Sequence, residues 1–203
     1  MKAPLEKLEV LHKVMKDFAG LSEEDIALSL ANWNKRTIAK HDFYNQQNVV
    51  CKDLGIVVKG LFRVYYYDEV DDRERNIFFF SENQFIVSFG SFIAQNACYY
   101  YIEALEEAEI LYISYDDLQQ LYDRSKPWQK FGRLLAEHFF GQSQVRTHQL
   151  LFHNHEQRYL HLAKEHPSIV QRVPSFHIAS FLGIKDQSLS RIKSRIAKKN
   201  KLN

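Results

Sequence analysis

The chain has 203 residues and a formal net charge of +2, with 45% hydrophobic and 14% aromatic residues. This apolar content is enough for a packed core and excludes a disordered chain, and the length allows one large or two small domains. Two cysteines exclude a four-thiolate iron–sulfur cluster within one chain, and no apolar run is long enough to cross a membrane. The N-terminal residues carry Lys and Glu without an apolar segment, so we expect no signal peptide and a cytoplasmic location.

The first part of the chain predicts one short helix followed by an antiparallel β-roll. Ser22 is a typical helix N-cap with acidic residues in the next turn, and this helix is expected to run to about Leu30. Short segments rich in Val, Ile, Phe and Tyr follow at intervals of roughly 8–12 residues, as in antiparallel barrels and rolls. The expected strands are residues 36–39, 49–52, 55–59, 61–67, 75–80, 99–105 and 109–114. Lys59-Gly60 and residues 68–72 are expected to form turns.

The following residues predict helices, one of them long. Helical spacing covers residues 116–123, 128–152 and 156–165, with Pro127 in the first turn of the long helix and Pro167 after the last of the three. The long helix has more apolar surface than one small core needs, so we predict that it pairs with its counterpart in a two-fold dimer. The predicted interface residues are Phe131, Leu135, His138, Phe139, Gln142 and Val145. The alternative is that this helix packs only against its own β-roll.

Residues 175–194 predict a helix-turn-helix, a motif that binds DNA. Gly183 stands between two helical segments, where a sharp turn needs a residue that tolerates positive φ. The spacing of the apolar residues gives each helix one buried face. The residues expected on these faces are Ile178, Ala179, Leu182, Leu189 and Ile192. The polar face left on the second helix has side chains of the types that donate hydrogen bonds to base edges and phosphates. The alternative is an ordinary helical corner inside a core.

Positive charge is concentrated at the C-terminal end of the chain. Residues 185–203 contain seven basic residues and one acidic residue, a net charge of +6, so the rest of the chain carries −4. A basic surface confined to the second helix and the tail is typical of proteins that contact nucleic-acid phosphates. The alternative is a solvated tail that only improves solubility.

The order of these parts resembles the catabolite activator / fumarate–nitrate regulator (CRP/FNR) family of bacterial transcription factors. The sequences RVPSFHIASFLGI at residues 172–184 and SLSRI at residues 188–192 are especially similar to members from the Bacteroidetes group. The resemblance covers about residues 21–199 and implies an α+β fold in three parts. These are a cyclic-nucleotide-binding-like β-roll (jelly roll) at 1–125, a long dimerisation helix at 126–152 and a helix-turn-helix domain at 153–203. A homodimer on double-stranded DNA is implied, with two recognition helices in successive major grooves about 34 Å apart, and RNA polymerase is implied as a further partner.

The effector pocket is where the sequence departs from this family. Members that bind cyclic nucleotides have a Gly-Glu pair for the ribose 2′-hydroxyl and an Arg-Ser or Arg-Thr pair for the cyclic phosphate. Residues 85–101 align without a gap and place Val87 and Ser88 at the first pair, and Cys98 and Tyr99 at the second. Since a buried phosphate needs a positive or strongly donating partner, we expect this pocket not to bind cAMP. The fold is then expected to hold an unidentified small-molecule effector or no ligand, and no cofactor.

The polar face of the second helix supplies the predicted DNA contacts. Gln187, Ser190 and Arg191 are expected to face base edges, because Arg pairs with guanine and Gln with adenine. Asp186 is expected to cap this helix. The full set of predicted DNA-binding residues is Lys185, Gln187, Ser188, Ser190, Arg191, Ser194 and Arg195, with Lys185, Ser188, Ser194 and Arg195 placed for phosphates. Members of the family that activate transcription often have Glu at the position of Gln187, so the half-site is expected to differ.

The C-terminal end departs from the family as well. The usual two-stranded wing is expected to be shortened or missing, and Lys198, Lys199 and Lys201 are expected to replace its phosphate contacts.

Other kinds of site find little support. No histidine pair has the i, i+4 spacing that places two metal ligands on one helix face, so we expect no metal. No nucleophile elbow, P-loop or paired-carboxylate motif is present, so we expect no enzyme activity. Two alternatives to a DNA-binding regulator that does not bind cAMP remain open. One is a receptor whose small-molecule effector controls DNA binding, and the other is a β-roll adaptor that acts through protein contacts with vestigial DNA binding.

Overall fold

The computed structural model of the protein describes residues 5–200, which form two compact units. Within the described residues, unit 1 comprises residues 5–64 and 79–142, and unit 2 comprises residues 65–78 and 143–200. The helices are α1 Leu5–Ala19, α2 Glu23–Ala27, α3 Phe89–Ala94, α4 Tyr115–Arg124, α5 Lys126–Phe152, α6 His155–Glu165, α7 Pro167–Arg172, α8 Ser175–Leu182 and α9 Asp186–Asn200. The strands are β1 Asn34–Ile38, β2 Phe43–Asn45, β3 Asp53–Lys59, β4 Phe62–Asp68, β5 Arg73–Phe80, β6 Phe85–Ile86, β7 Tyr101–Ala104 and β8 Ala108–Ser114. The functional division into residues 1–125, 126–152 and 153–203 stays a prediction.

The strands form a β-roll of two four-stranded sheets. Their strand orders are β1-β8-β3-β6 and β2-β7-β4-β5. β8 lies between β1 and β3 in antiparallel register, with Asp53 opposite Ser114 at one end of the β3–β8 pair. Gly60 makes the predicted turn after β3, at a φ of 108°, and a Cβ there would lie 2.6 Å from the side chain of Ala108. This close approach explains why glycine is needed at that turn.

Aromatic residues from separate elements meet in the core of unit 1. Phe18 of α1, Phe85 of β6 and Phe131 of α5 lie with ring centroids 4.8–5.8 Å apart in edge-to-face geometry. Trp128 packs against Phe131, and its indole nitrogen donates to the Asp25 carbonyl at 2.9 Å. Edge-to-face rings stabilise a core beyond the burial of their area. The first turns of α5 therefore belong to the core of unit 1.

Within unit 2, the outer part of the β4–β5 hairpin contacts α8 through buried polar groups. The Asn76 backbone N–H donates to Ser180 Oγ at 3.0 Å, and Ser180 Oγ donates to the Glu74 carbonyl at 3.0 Å. The Asn76 amide nitrogen lies 3.2 Å from Nδ1 of His177, and both side chains are buried. Because buried polar groups are costly without partners, this set of hydrogen bonds specifies how the hairpin meets α8.

The sequence predictions missed the 15-residue helix α1 and several of the shortest elements. Residues 49–52 form no strand but one isolated bridge, between Val50 and Ala97, and β2, β6 and α3 were not predicted. Pro167, expected to end α6, is the first residue of α7, because proline lacks only an N–H that the first turn of a helix does not use. Among residues 5–200, no helix is long and apolar enough to cross a membrane.

Candidate nucleic-acid interface and effector pocket

Helices α8 and α9 are joined by a tight turn at Gly183. Its φ is 74°, its N–H donates to the Ser180 carbonyl at 3.0 Å, and the Ile184 N–H donates to the Ala179 carbonyl at 3.0 Å. These two bonds form a Schellman motif, which ends a helix at a left-handed residue. A Cβ on Gly183 would meet no atom within 4 Å, so glycine is required here for its backbone conformation and not for lack of space.

The apolar residues predicted to hold the two helices together are all buried. Ile178, Leu182 and Leu189 are fully buried, and Ala179 and Ile192 are nearly so. Every residue predicted to contact DNA lies on the exposed side: Lys185, Gln187, Ser188, Ser190, Arg191, Ser194 and Arg195. We call the exposed residues Gln187, Arg191, Ser194 and Lys198 the α9 stripe, because their spacing of three to four residues places them on one side of the helix.

Two details of α9 differ from the prediction. Asp186 was expected to cap the helix but is its first residue, where its negative charge still favours the positive end of the helix. The helix continues to Asn200, and Lys201, one of the predicted tail contacts, lies outside the described residues.

Arg195 has a partner that the sequence did not predict. Its Nη1 donates to Glu156 Oε2 at 2.8 Å, and Lys199 Nζ donates to Glu156 Oε1 at 3.3 Å. Hydrogen bonds from Lys199 and Arg195 hold the pKa of Glu156 below its ordinary value. Glu156 lies on α6, 39 residues before Arg195, so no local pattern could have linked the two.

Arg146, near the C-terminal end of α5, binds the last turn of α8. Its Nη2 donates to the Phe181 carbonyl at 2.7 Å, and its guanidinium carbon lies 3.8 Å from the centre of the Phe181 ring. Burial and the nearby Arg158 lower the pKa of Arg146 to about 10, so it stays charged at neutral pH. The partial negative charge of carbonyls at a helix C-terminus compensates such a cation.

Three of the four predicted pocket residues are buried. Val87, Ser88 and Cys98 are buried, whereas Tyr99 is 78% exposed. Ser88 Oγ lies 2.9 Å from Cys98 Sγ, and Cys98 Sγ also contacts the Tyr100 carbonyl at 3.1 Å. Cys98, at a position expected to face a cyclic phosphate, is therefore paired with Ser88, at a position expected to face the ribose.

The surroundings of this cluster disfavour an anion. Cys51 lies nearby, with its N–H donating to Ser91 Oγ at 2.9 Å, and burial raises the pKa of its thiol to about 12. An environment that keeps a thiol from ionising also raises the free energy of a phosphate, unless a cation balances it. Val87, Ser88, Cys98 and Tyr99 carry no positive charge, so the residues present do not fit a cyclic nucleotide phosphate.

The predicted dimer interface needs a correction. Phe131 and Leu135 lie in the core of unit 1, with exposures of 0% and 1%, so neither side chain is at the surface of the chain. Phe139 stacks on Phe89 of the same chain with ring centroids 4.7 Å apart. The apolar spacing along α5 was correct, but part of it serves the chain's own core.

An adjacent stripe of α5, which shares His138 and Val145 with the predicted interface, is more exposed. It comprises His138, Gly141, Val145, His148 and Phe152, and we call it the α5 stripe. Val145 and Phe152 are 51% and 71% exposed. The alternating spacing of three and four residues is that of a coiled-coil seam.

No metal site is found in the described part of the chain, where no group of three or more His, Cys, Asp or Glu side chains is suitably placed.

Comparison with known sequences identifies the β-roll. Residues 35–125 match the sequence model of the cyclic nucleotide-binding domain. No curated protein matches the chain.

Solved structures show that the fold extends beyond this domain. A protein from Eubacterium rectale described as a transcriptional regulator of the CRP/FNR family is 18% identical, with a TM-score of 0.65, over 89% of this chain and 85% of that one. FixK2 from Bradyrhizobium japonicum is 15% identical, with a TM-score of 0.65, over 83% of this chain and 86% of that one. The catabolite activator protein of Thermus thermophilus is 18% identical, with a TM-score of 0.55, over 90% and 87%. At these identities the likeness is one of fold.

Proposed function

We propose that this protein is a cytoplasmic, sequence-specific DNA-binding regulator of transcription, with α8 and α9 as its helix-turn-helix. The proposal rests on the α9 stripe, which is an exposed row of polar and basic side chains. Leu189 and Ile192 of the same helix are buried and fix its position. Such a helix presents Arg and Gln to base edges and Lys to phosphates. The fold likeness to transcriptional regulators supports the same proposal.

We propose further that the protein binds DNA as a homodimer through the α5 stripe. Val145 and Phe152 would meet their counterparts across a two-fold axis, and Gly141 would allow the helices a close approach. Burial lowers the pKa of His138, which favours the neutral imidazole that an apolar interface accepts. A two-fold dimer predicts a two-fold-symmetric operator. RNA polymerase stays an expected partner.

The third part of the proposal is that DNA binding does not require cAMP. The buried contact between Cys98 Sγ and Ser88 Oγ supports it, because Cys98 stands where the family members that bind cyclic nucleotides have the arginine that holds the phosphate. An effector of another chemistry, or none, is consistent with this pocket.

Two matched variants test the role of the α9 stripe, on a selected duplex and its single-base-pair variants. Arg191→Ala should weaken binding to the preferred duplex by about 1–3 kcal/mol and remove the preference at one base pair, because Arg on guanine is a specific contact. Lys198→Ala should weaken binding to all duplexes alike and lower the slope of log affinity against log salt by about one. Fluorescence anisotropy titrations measure both effects.

The proposal is wrong if the wild-type protein binds every duplex equally. If Arg191→Ala and Lys198→Ala behave alike, the assignment of Arg191 to a base edge is wrong while DNA binding itself stands.

A further inference from the structure

Glu156 lies where α6 meets the basic side of α9. It stands in the first turn of α6, and its two carboxylate oxygens accept from Arg195 and Lys199, at 2.8 and 3.3 Å. The side chain of Glu156 is 20% exposed, whereas those of Arg195 and Lys199 are 60% and 66% exposed. The carboxylate thus sits beneath two cations whose outer sides face solvent.

These two cations lie beside the α9 stripe. Arg195 is four residues after Arg191 and Lys199 is four residues after Arg195, so the three side chains follow one another along adjacent turns of the helix. A helix whose N-terminal part enters a major groove brings its following turns close to the phosphates at the edge of the groove. Arg195 and Lys199 are therefore placed to meet phosphates, and Glu156 is their competitor.

We propose that Glu156 restrains DNA binding by holding Arg195 and Lys199 away from the phosphate backbone. This inference rests on the proposed function. One carboxylate reduces the charge of this cluster from +2 to +1. Since phosphate contacts supply most of the affinity that ignores sequence, their loss weakens sequence-blind binding and leaves the base contacts of the α9 stripe untouched.

An exposed ion pair of this kind adds little to stability, because solvent screens it and the long side chains lose freedom when they are held. Loss of these pairs is therefore expected to cost the fold little. Because the hydrogen bonds from Lys199 and Arg195 lower the pKa of Glu156, its carboxylate stays charged throughout the pH range in which DNA binding is measured. The effect of Glu156 is thus expected in DNA affinity and not in the folding of α6 and α9.

The test is Glu156→Gln in the full-length protein, with a fluorescent duplex of scrambled sequence as the probe. Affinity is measured by anisotropy from about 50 to 200 mM salt. Each released cation that gains a phosphate should steepen the slope of log affinity against log salt by about 0.9. We expect one or two such contacts, so that the variant binds more tightly at low salt and its advantage shrinks by about threefold per contact across this salt range.

Glu165→Gln is the matched control. It lies on the same helix and removes the same charge, but its ion pair is with Lys164 and not with α9. Its salt slope should equal that of the wild type. A steeper slope in both variants would show a general effect of charge and overturn the proposal.

A second pair of variants keeps the proposal testable if Glu156→Gln folds poorly, which circular dichroism would show. Arg195→Gln should change the salt slope little in the wild-type background, where Glu156 already occupies this cation. The same change should cancel part of the gain in the Glu156→Gln background, and a coupled effect of this kind is what a double-mutant cycle measures. A large loss of slope from Arg195→Gln in the wild type would contradict the proposal.

The outcomes separate this inference from the proposed function. If the wild type binds the duplex and Glu156→Gln binds no better, the restraint is wrong. Weaker binding by Glu156→Gln would indicate instead that Glu156 positions Arg195 for DNA. If neither protein binds any duplex at low salt, the DNA-binding function itself fails, and the restraint with it.

Discussion

Arg191 and Arg195 are the same residue type on the same helix, yet their surroundings differ. Arg191 is exposed on the α9 stripe, whereas Arg195 donates to Glu156. The sequence assigned both to DNA from residue type and helical position, which is all that a local pattern contains. The difference arises from a contact between residues 39 positions apart, so the structure was needed to see it.

Other single residues could be predicted because their role depends on neighbours in the chain. Ser22 caps α2 through a capping box with Asp25, as the acidic residues after it indicated. Gly183 adopts the positive φ that the turn between two apolar helix faces required. The surroundings of Cys98 could be predicted only in part. The sequence showed that it replaces an arginine, but not that Ser88 would lie 2.9 Å from its sulfur.

The thiol of Cys51 gives a prediction at this scale. Its pKa of about 12, against an ordinary value of 9.0, leaves about one thiolate in ten thousand at pH 8, and the thiolate is the form that reacts. We expect iodoacetamide to leave Cys51 unmodified in the native protein and to modify it in urea, as measured by mass spectrometry of its peptide. Rapid modification of the native protein would contradict the burial of this cluster.

The same raised pKa fixes how stability depends on pH. In the folded state the thiol keeps its proton between about pH 9 and 12, whereas the unfolded chain loses it, so this group stabilises the fold below pH 9 and less as the pH rises to 12. The thermal midpoint of the wild type should therefore fall more steeply above pH 9 than that of Cys51→Ala, which lacks the group.

Among the helices and strands, those with a clear apolar period were predicted best, although the 15-residue helix α1 was missed. The long helix α5 and the strands β3, β4, β5 and β8 were predicted because several turns or alternations of apolar residues repeat in each. The strands β2 and β6 span three and two residues, too few for any period to be visible. Their position is set by pairing with β7 and β3, which lie far along the chain.

The two faces of α5 show a further limit of periodicity. Phe131 and Val145 both fit the apolar pattern of the helix, but Phe131 is buried in its own unit and Val145 is half exposed. The period of apolar residues identifies the apolar side of a helix, but it does not identify the residues that pack against that side. The α5 stripe, proposed as the dimer interface, becomes visible only when the residues buried in the chain's own core are excluded from the apolar pattern.

The dimer proposal gives a prediction at this scale. Val145→Ser should raise the dimer dissociation constant at least about tenfold, because two copies lose an apolar contact worth roughly 1–2 kcal/mol each. Phe140→Ser is the control, since Phe140 is 66% exposed but lies off the α5 stripe. Sedimentation equilibrium measures both. Equal weakening by both changes, or none by Val145→Ser, would place the interface elsewhere.

At the scale of the whole molecule, the order of parts was the most dependable prediction. A β-roll, a long helix and a C-terminal helix pair follow from changes of period and from glycine and proline positions, and the fold likeness spans 89% of the chain. What the chain responds to was not predictable in this way. The replacements at the pocket residues are expected to disfavour a phosphate, and that expectation does not identify another ligand.

Positive charge is concentrated in one segment of the molecule. A chain of net charge +2 carries +6 in residues 185–203, so the proposed DNA binding is expected to draw its long-range attraction mainly from α9 and the residues after it. Glu156, from outside that segment, offsets part of this charge, which whole-chain values would conceal.

The most direct test of the central claim is selection of binding sites from a randomised duplex pool at near-physiological salt, in parallel with and without cAMP. We expect the same two-fold-symmetric site to be enriched in both arms, because we propose that α9 binds DNA as part of a dimer and that this binding does not require cAMP. Enrichment only with cAMP would contradict the account of the pocket. No enrichment in either arm would contradict sequence-specific DNA binding by the protein alone.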